Sequence, residues 1–170
     1  MVPRPGKSSR KNAKIENASI FGIRLRFGPP GLIVYADHFL AAAKIAATDV
    51  PFNPARMFLT CRTLELGFKA FLSLKGYSLE KLAGGPFAHD LENLLLEAEQ
   101  HDLHQLVTLS ESHRFQIVRA SGYYHEKVFE YPAITEALGG YPDLPDVDEL
   151  VGAADALLSV LREPCLTASN

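Results

Sequence analysis

Two stretches of the sequence place residues that can move protons or hold charge at spacings worth following. The first is Glu65 and Lys69, one helical turn apart inside the otherwise apolar run Leu64–Phe71. In water such a pair adds only a few tenths of a kcal/mol. Embedded among Phe58, Phe68 and Phe71, it is instead expected to be half buried, and would then require further partners. His89 and Asp90 open the next helical segment, and His89 can meet Glu65 or Lys69 across the helix pair. Asp90 suits the positive end of that helix. The simpler alternative is that His89 and Asp90 only cap their own helix. The second stretch holds Arg119 and His125. On a regular helix their six-residue offset leaves the side chains about 120° apart. They converge only if Gly122 distorts the helix or a second subunit completes the site. Otherwise Arg119 pairs with an acid such as Glu126, and His125 occupies the surface beside Tyr124.

Other chemistry is weaker. His101 and His104 lie three residues apart but lack a third ligand of the right kind, which predicts surface histidines and no metal. Cys61 and Cys165 form no CxxC and have no His partner in sequence, so neither reads as a nucleophile. There is no Gly-rich phosphate loop, no GxSxG and no HExxH. No cofactor is expected.

These residues need helices to position them, and the periodicity supplies helices. Asn53-Pro54 pairs a capping Asn with a proline at the first helical position, and the helix it opens should end near Lys75 at Gly76. Residues 32–48 are apolar nearly all round and predict a buried helix. Further helices are expected over about 88–100, 102–109, 110–129 and 146–162, with a short turn of helix near 133–138. Before them, residues 19–27 alternate apolar and basic side chains and suggest a short extended segment, stopped by Gly28-Pro29-Pro30-Gly31. The expectation is an all-α antiparallel bundle of about five helices over residues 31–170, preceded by an irregular basic arm over 1–30.

Composition sets the outer limits. A chain of 170 residues suffices for one domain with a substantial core. The formal charge of −3 conceals an asymmetry: residues 1–30 carry seven Lys/Arg against one acid, while the remainder carries ten against nineteen. A basic arm on an acidic body can contact phosphates, its own body or a partner. The body is too acidic to bind a duplex broadly. The sparse cysteines, the lack of a long apolar run and the absence of an apolar stretch after the basic N-terminus point to a cytoplasmic protein that neither spans a membrane nor starts with a secretory signal.

Taken together, Phe58-Leu-Thr-Cys-Arg-Thr-Leu-Glu65-Leu-Gly-Phe-Lys69-Ala-Phe-Leu72, then Gly76, then His89-Asp90-Leu91 with Leu94 and Leu95, resemble the E-x-x-x-K, Gly, H-D-L pattern of bacterial HEPN-like (higher eukaryotes and prokaryotes nucleotide-binding) proteins. Tyr124 with Phe129-Glu130-Tyr131-Pro132 is similar to the Y…R-Y-P ending of some members. The resemblance covers about residues 35–135. It implies a helical bundle, often a homodimer, whose catalytic members use an Arg-x4–6-His motif at the dimer interface as a metal-independent ribonuclease. Carried over, the acid–base role falls on His125 and phosphorane stabilisation on Arg119. Ala120 stands where active members often have a polar residue, and Glu130 replaces the Arg of R-Y-P. The expectation is therefore a non-catalytic module for RNA, nucleotide or a protein partner, with Glu65, Lys69, His89 and Asp90 as its polar cluster. The alternative is a toxin- or defence-type endoribonuclease.

Overall fold

The structure, a computed structural model, describes residues 17–20, 23–26, 28–50, 52–131, 140–141 and 143–168. Residues 1–16 of the expected basic arm, with five of its seven basic residues, and the helical turn expected near 133–138 lie outside the described residues. Six α-helices are present among those described, packed as a bundle.

The chain enters through a small hairpin. Strands β1 (Asn17–Ile20) and β2 (Ile23–Arg26) pair antiparallel, with Asn17 opposite Arg26 and Ile20 opposite Ile23. The extended segment expected over 19–27 thus takes in the end of β1 and all of β2, two paired strands in place of one. Helix α1 (Pro29–Ile45) follows at once, its two prolines in the first turn where no N–H partner is needed. Its buried residues Pro30, Ile33, Ala36, Leu40 and Ala43 form one stripe, while Val34, Tyr35 and Ile45 are exposed. The helix expected to be buried all round is therefore one-sided. A run rich in alanine has high mean hydropathy and high helix propensity, but neither fixes how many sides are covered.

Helix α2 (Pro54–Leu74) is the centre of the fold. The Asn53 side chain accepts the Arg56 N–H at 3.0 Å, and Pro54 occupies the first helical position. Every residue from Thr63 to Leu72 is buried, because α2 is surrounded by α1, α4, α5 and α6. At Gly67 a Cβ would lie 2.8 Å from Leu157 Cδ2, so the glycine lets the last helix cross closely. The end of α2 is a Schellman motif: Gly76, at φ +92°, donates to the Ser73 carbonyl and Tyr77 donates to the Leu72 carbonyl.

A short helix α3 (Leu79–Ala83) and a 3₁₀ turn at Gly85–Phe87 lead into α4 (Leu91–Gln100), which starts three residues later than the sequence suggests. The delay has a local cause: His89 adopts a left-handed φ of 57°, so the helix begins only after its Asp90 cap. The piece expected over 102–109 is one 3₁₀ turn, Leu103–Gln105. Helix α5 (Glu111–His125) is capped by Ser110 and ends four residues before the expected limit. Helix α6 (Val147–Thr167) starts at an Asp146 cap and continues past Arg162 through Pro164. Pro164 sits near the helix end, where the single backbone bond it removes is least disruptive.

Candidate functional site

On α2, Phe58, Arg62, Glu65 and Lys69 follow one another at steps of four, three and four residues, which places them on one face. That face looks toward α4 and α5 and is organised around the Glu65 carboxylate. Oε1 accepts a hydrogen bond from Lys69 Nζ at 2.6 Å. Oε2 accepts one from Arg62 at 2.6 Å and one from the Tyr124 hydroxyl of α5 at 2.6 Å. His89 Nδ1 lies 3.3 Å from the same Oε2, and the tautomer with its proton on Nδ1 donates to it.

The group grades from core to surface. Side-chain exposure is 1% for Glu65, 10% for Lys69, 31% for Arg62 and 44% for His89. Burial alone would raise the Glu65 carboxyl, but Lys69 and then Arg62 outweigh it and hold the group at about 2. The Tyr124 hydroxyl is pushed up, first by its own burial and then by the Glu65 charge, so it stays a neutral donor. Burial works to lower the Arg62 guanidinium, yet Glu65 raises it. Glu65 thus faces two cations, Lys69 within the core and Arg62 toward the solvent side, with the Asp90 carboxylate close by at the start of α4.

The start of α4 is locked in place beside this cluster. Asp90 Oδ1 accepts the Asn93 N–H at 2.9 Å and Oδ2 accepts the Asn93 amide at 2.8 Å. Ser121 of α5 donates to Asp90 Oδ1 at 3.2 Å and accepts the Glu92 N–H at 3.1 Å. The His89 ring stands edge-on to Tyr124, with centroids 5.5 Å apart. Asp90 thus caps α4 and ties it to α5, while His89 turns back toward Glu65.

The structure brings together Glu65, Lys69 and His89, and seats Asp90 next to them. It adds two members that sequence reasoning did not assign to the cluster, Arg62 and Tyr124. Arg62 carried a usable signal, since it lies three residues before Glu65 on the same face. Tyr124 carried none without a fold, because the contact spans fifty-nine positions.

Arg119 and His125 are not brought together within the chain. Helix α5 runs unbroken through Gly122, so the two keep their angular separation. Arg119 pairs with Asp143 at 2.5 Å, rather than with Glu126, and its guanidinium lies 5.2 Å from the Phe115 ring centroid. His125 is exposed at the last position of α5, one turn beyond Ser121. That places it on the side of α5 facing the start of α4.

His101 is half-buried, not solvated as expected: its Nε2 lies 2.8 Å from the Tyr77 hydroxyl, which also donates to Glu97. His104 is exposed. Among the described residues no three His, Cys, Asp or Glu side chains are grouped as a metal ion would need. Cys61 and Cys165 are buried free thiols, and burial pushes both up, Cys165 to about 12. Such thiols are poor nucleophiles. No helix among the described residues is long and apolar enough to cross a membrane. Comparison with family models, with curated proteins and with solved structures finds no match to this chain.

Proposed function

We propose that this chain is a HEPN-like binding module that takes RNA or a nucleotide, with a phosphate seated on Arg62 and His89. The observation that carries the reading is Arg62, a guanidinium bonded at 2.6 Å to the buried Glu65 carboxylate yet 31% exposed. Lys69 neutralises Glu65 within the core. Arg62 is then anchored by Glu65 yet partly exposed, a fixed guanidinium suited to phosphate geometry. With Nδ1 directed at Glu65, the imidazolium form of His89 donates its second proton from Nε2 to the phosphate. A protein partner remains the second class of occupant that this surface serves.

The endoribonuclease alternative, with Arg119 and His125, has less support. Arg119 is engaged by Asp143 and stands away from His125 on α5. A composite site would require a homodimer, and the outer face of α5 offers exposed Phe115 and Val118 and an open Gly122 for such pairing.

Fluorescence anisotropy with a labelled single-stranded RNA tests the main reading. Binding should weaken as salt is raised, and Arg62→Ala should lower affinity about tenfold or more, as expected for a charge-assisted hydrogen bond. Unchanged affinity in folded Arg62→Ala protein would refute the seat. The same RNA incubated with EDTA tests the alternative: cleavage that vanishes in His125→Ala would move the function to Arg119 and His125.

A further inference from the structure

Helix α1 uses only part of its circumference within the chain. Its inner face packs on α2, and one flank lies along α6. The outer face carries Val34, His38, Ala41 and Ile45, at steps of four, three and four residues, with Tyr35 and Ala42 beside them. Val34, Tyr35, His38 and Ala41 are exposed, and Ile45 is 85% exposed. Single exposed apolar side chains are ordinary, but a mostly apolar row over three turns of one helix is not. The small Ala41 and Ala42 lie in the middle of the row, where a second helix can approach closely.

The flank beside α6 adds a pattern of charge. Lys44 pairs with Asp155 at 2.6 Å and Arg162 pairs with Asp37 at 2.8 Å, so α1 and α6 each present one acid and one base. All four side chains remain between 31% and 48% exposed. Asp37 and Lys44 are two turns apart, which keeps both on one edge of α1. A two-fold axis at the level of Leu40 turns a second copy end for end. It brings Val34 of one copy opposite Ile45 of the other, and His38 opposite Ala41. The α6 flanks of both copies then lie along the same edge, with Asp37 opposite Lys44 and Arg162 opposite Asp155. Parallel packing in register would instead set each charge against its own counterpart. The face is therefore complementary to itself when the helices run antiparallel.

We infer that the outer face of α1 is a self-association surface, on which a second copy of this chain packs with its α1 antiparallel to the first. This is independent of the phosphate seat. It also differs from the pairing that an Arg119 and His125 site would need, which joins copies through α5. Because α1 packs chiefly on α2 and α6, the α1 pair leaves α4 and α5 free. An anionic membrane suits this face poorly, since its edge carries as many acids as bases. One pair of helices lies at the small end of specific interfaces, so the dimer is weak and depends on concentration.

Sedimentation velocity on the whole chain over a concentration series tests the inference. The wild type should pass from monomer to dimer as its concentration rises. Ala41→Glu and Ile45→Glu change exposed positions and can be checked for folding by circular dichroism. Each should weaken the dimer about tenfold or more, because the two-fold places two unpaired carboxylates in every pair. Phe115→Glu on α5 should leave association unchanged. Cross-linking reads the register. Cys61 and Cys165 are buried, so a thiol introduced on the outer face of α1 is the accessible one. Val34→Cys and Ile45→Cys proteins should form a disulfide dimer when mixed and mildly oxidised, but not separately. Like positions lie about 16 Å apart along an antiparallel pair, too far for a disulfide. A chain that stays monomeric at every concentration would overturn the inference, as would a dimer that survives both glutamates or is lost in folded Phe115→Glu. Cross-linking of either single variant on its own would rule out the antiparallel arrangement.

Discussion

Two ion pairs on neighbouring helices show how the same chemistry changes with burial. Glu65–Lys69 and Arg119–Asp143 both hold opposite charges within direct contact, at 2.6 and 2.5 Å. Glu65 and Lys69 are sealed by α4 and α5, whereas the Asp143 side chain is 81% exposed. In the first pair neither charge has water to fall back on, so further partners were required, and Arg62, Tyr124 and His89 supply them. In the second, water screens the attraction and solvates whichever partner is lost. A short contact distance therefore says little until the surroundings are known. The buried pair organises three helices; the exposed pair steadies a loop.

Substitutions can test that contrast directly. The largest effect is expected for Glu65→Ala, which leaves Lys69 as an uncompensated charge in the core and should cost about 3–5 kcal/mol in a chemical denaturation series. A loss below about 1 kcal/mol, the size typical of an exposed pair, would show that the two regions differ less than their burial implies.

Acid should reveal the same asymmetry. The folded protein holds Glu65 at about 2 against an ordinary value of 4.5, so between these pH values the unfolded chain binds the extra proton. Stability from this group is complete above pH 4.5 and is lost as pH falls toward 2, by an amount of the order of a few kcal/mol. Denaturation midpoints measured across that window in wild type and Glu65→Gln should differ in slope, with the variant flatter. Parallel curves would remove Glu65 as the source.

A smaller effect is expected at the junction of α4 and α5. Asp90→Ala removes the cap of α4 and its link to Ser121, and should cost about 1 kcal/mol. Smallest of all, Arg119→Ala should change stability by less than about 0.5 kcal/mol, with any change shrinking in high salt. A larger, salt-independent loss would mean that Asp143 and Arg119 anchor more than their exposure suggests.

Local signals in the sequence carried most of the fold. Asn53-Pro54 and Gly76 bounded α2 closely, since capping and glycine conformation act within a few residues. Asp146 and Ser110 began their helices for the same reason. The errors fall where tertiary surroundings decide. The sidedness of α1 depends on which neighbours exist, and the late start of α4 depends on the backbone at His89. In the candidate site, the misplaced polarity of Glu65 and Lys69 within an apolar run was legible because burying charge demands an explanation. Their partner Tyr124 was not, for a hydroxyl beside a second tyrosine on a distant helix looks like ordinary surface. Asp143 as the partner of Arg119 was hidden in the same way, lying in a loop whose path no helical period describes.

The complete enclosure of Thr63–Leu72 also bears on how the molecule opens. A helix touched by four others has no private route to unfolding, because exposing its amides means parting the whole bundle. In native-state hydrogen exchange these amides should be released only by global unfolding, while the one-sided α1 frays through smaller openings. Arg62 projects from the turn just before that slowest segment, and its anchor Glu65 lies within it. The proposed seat is thereby mounted on the part of the chain that breathes least, so a ligand there would meet a surface already formed and spend little of its binding energy on ordering the protein.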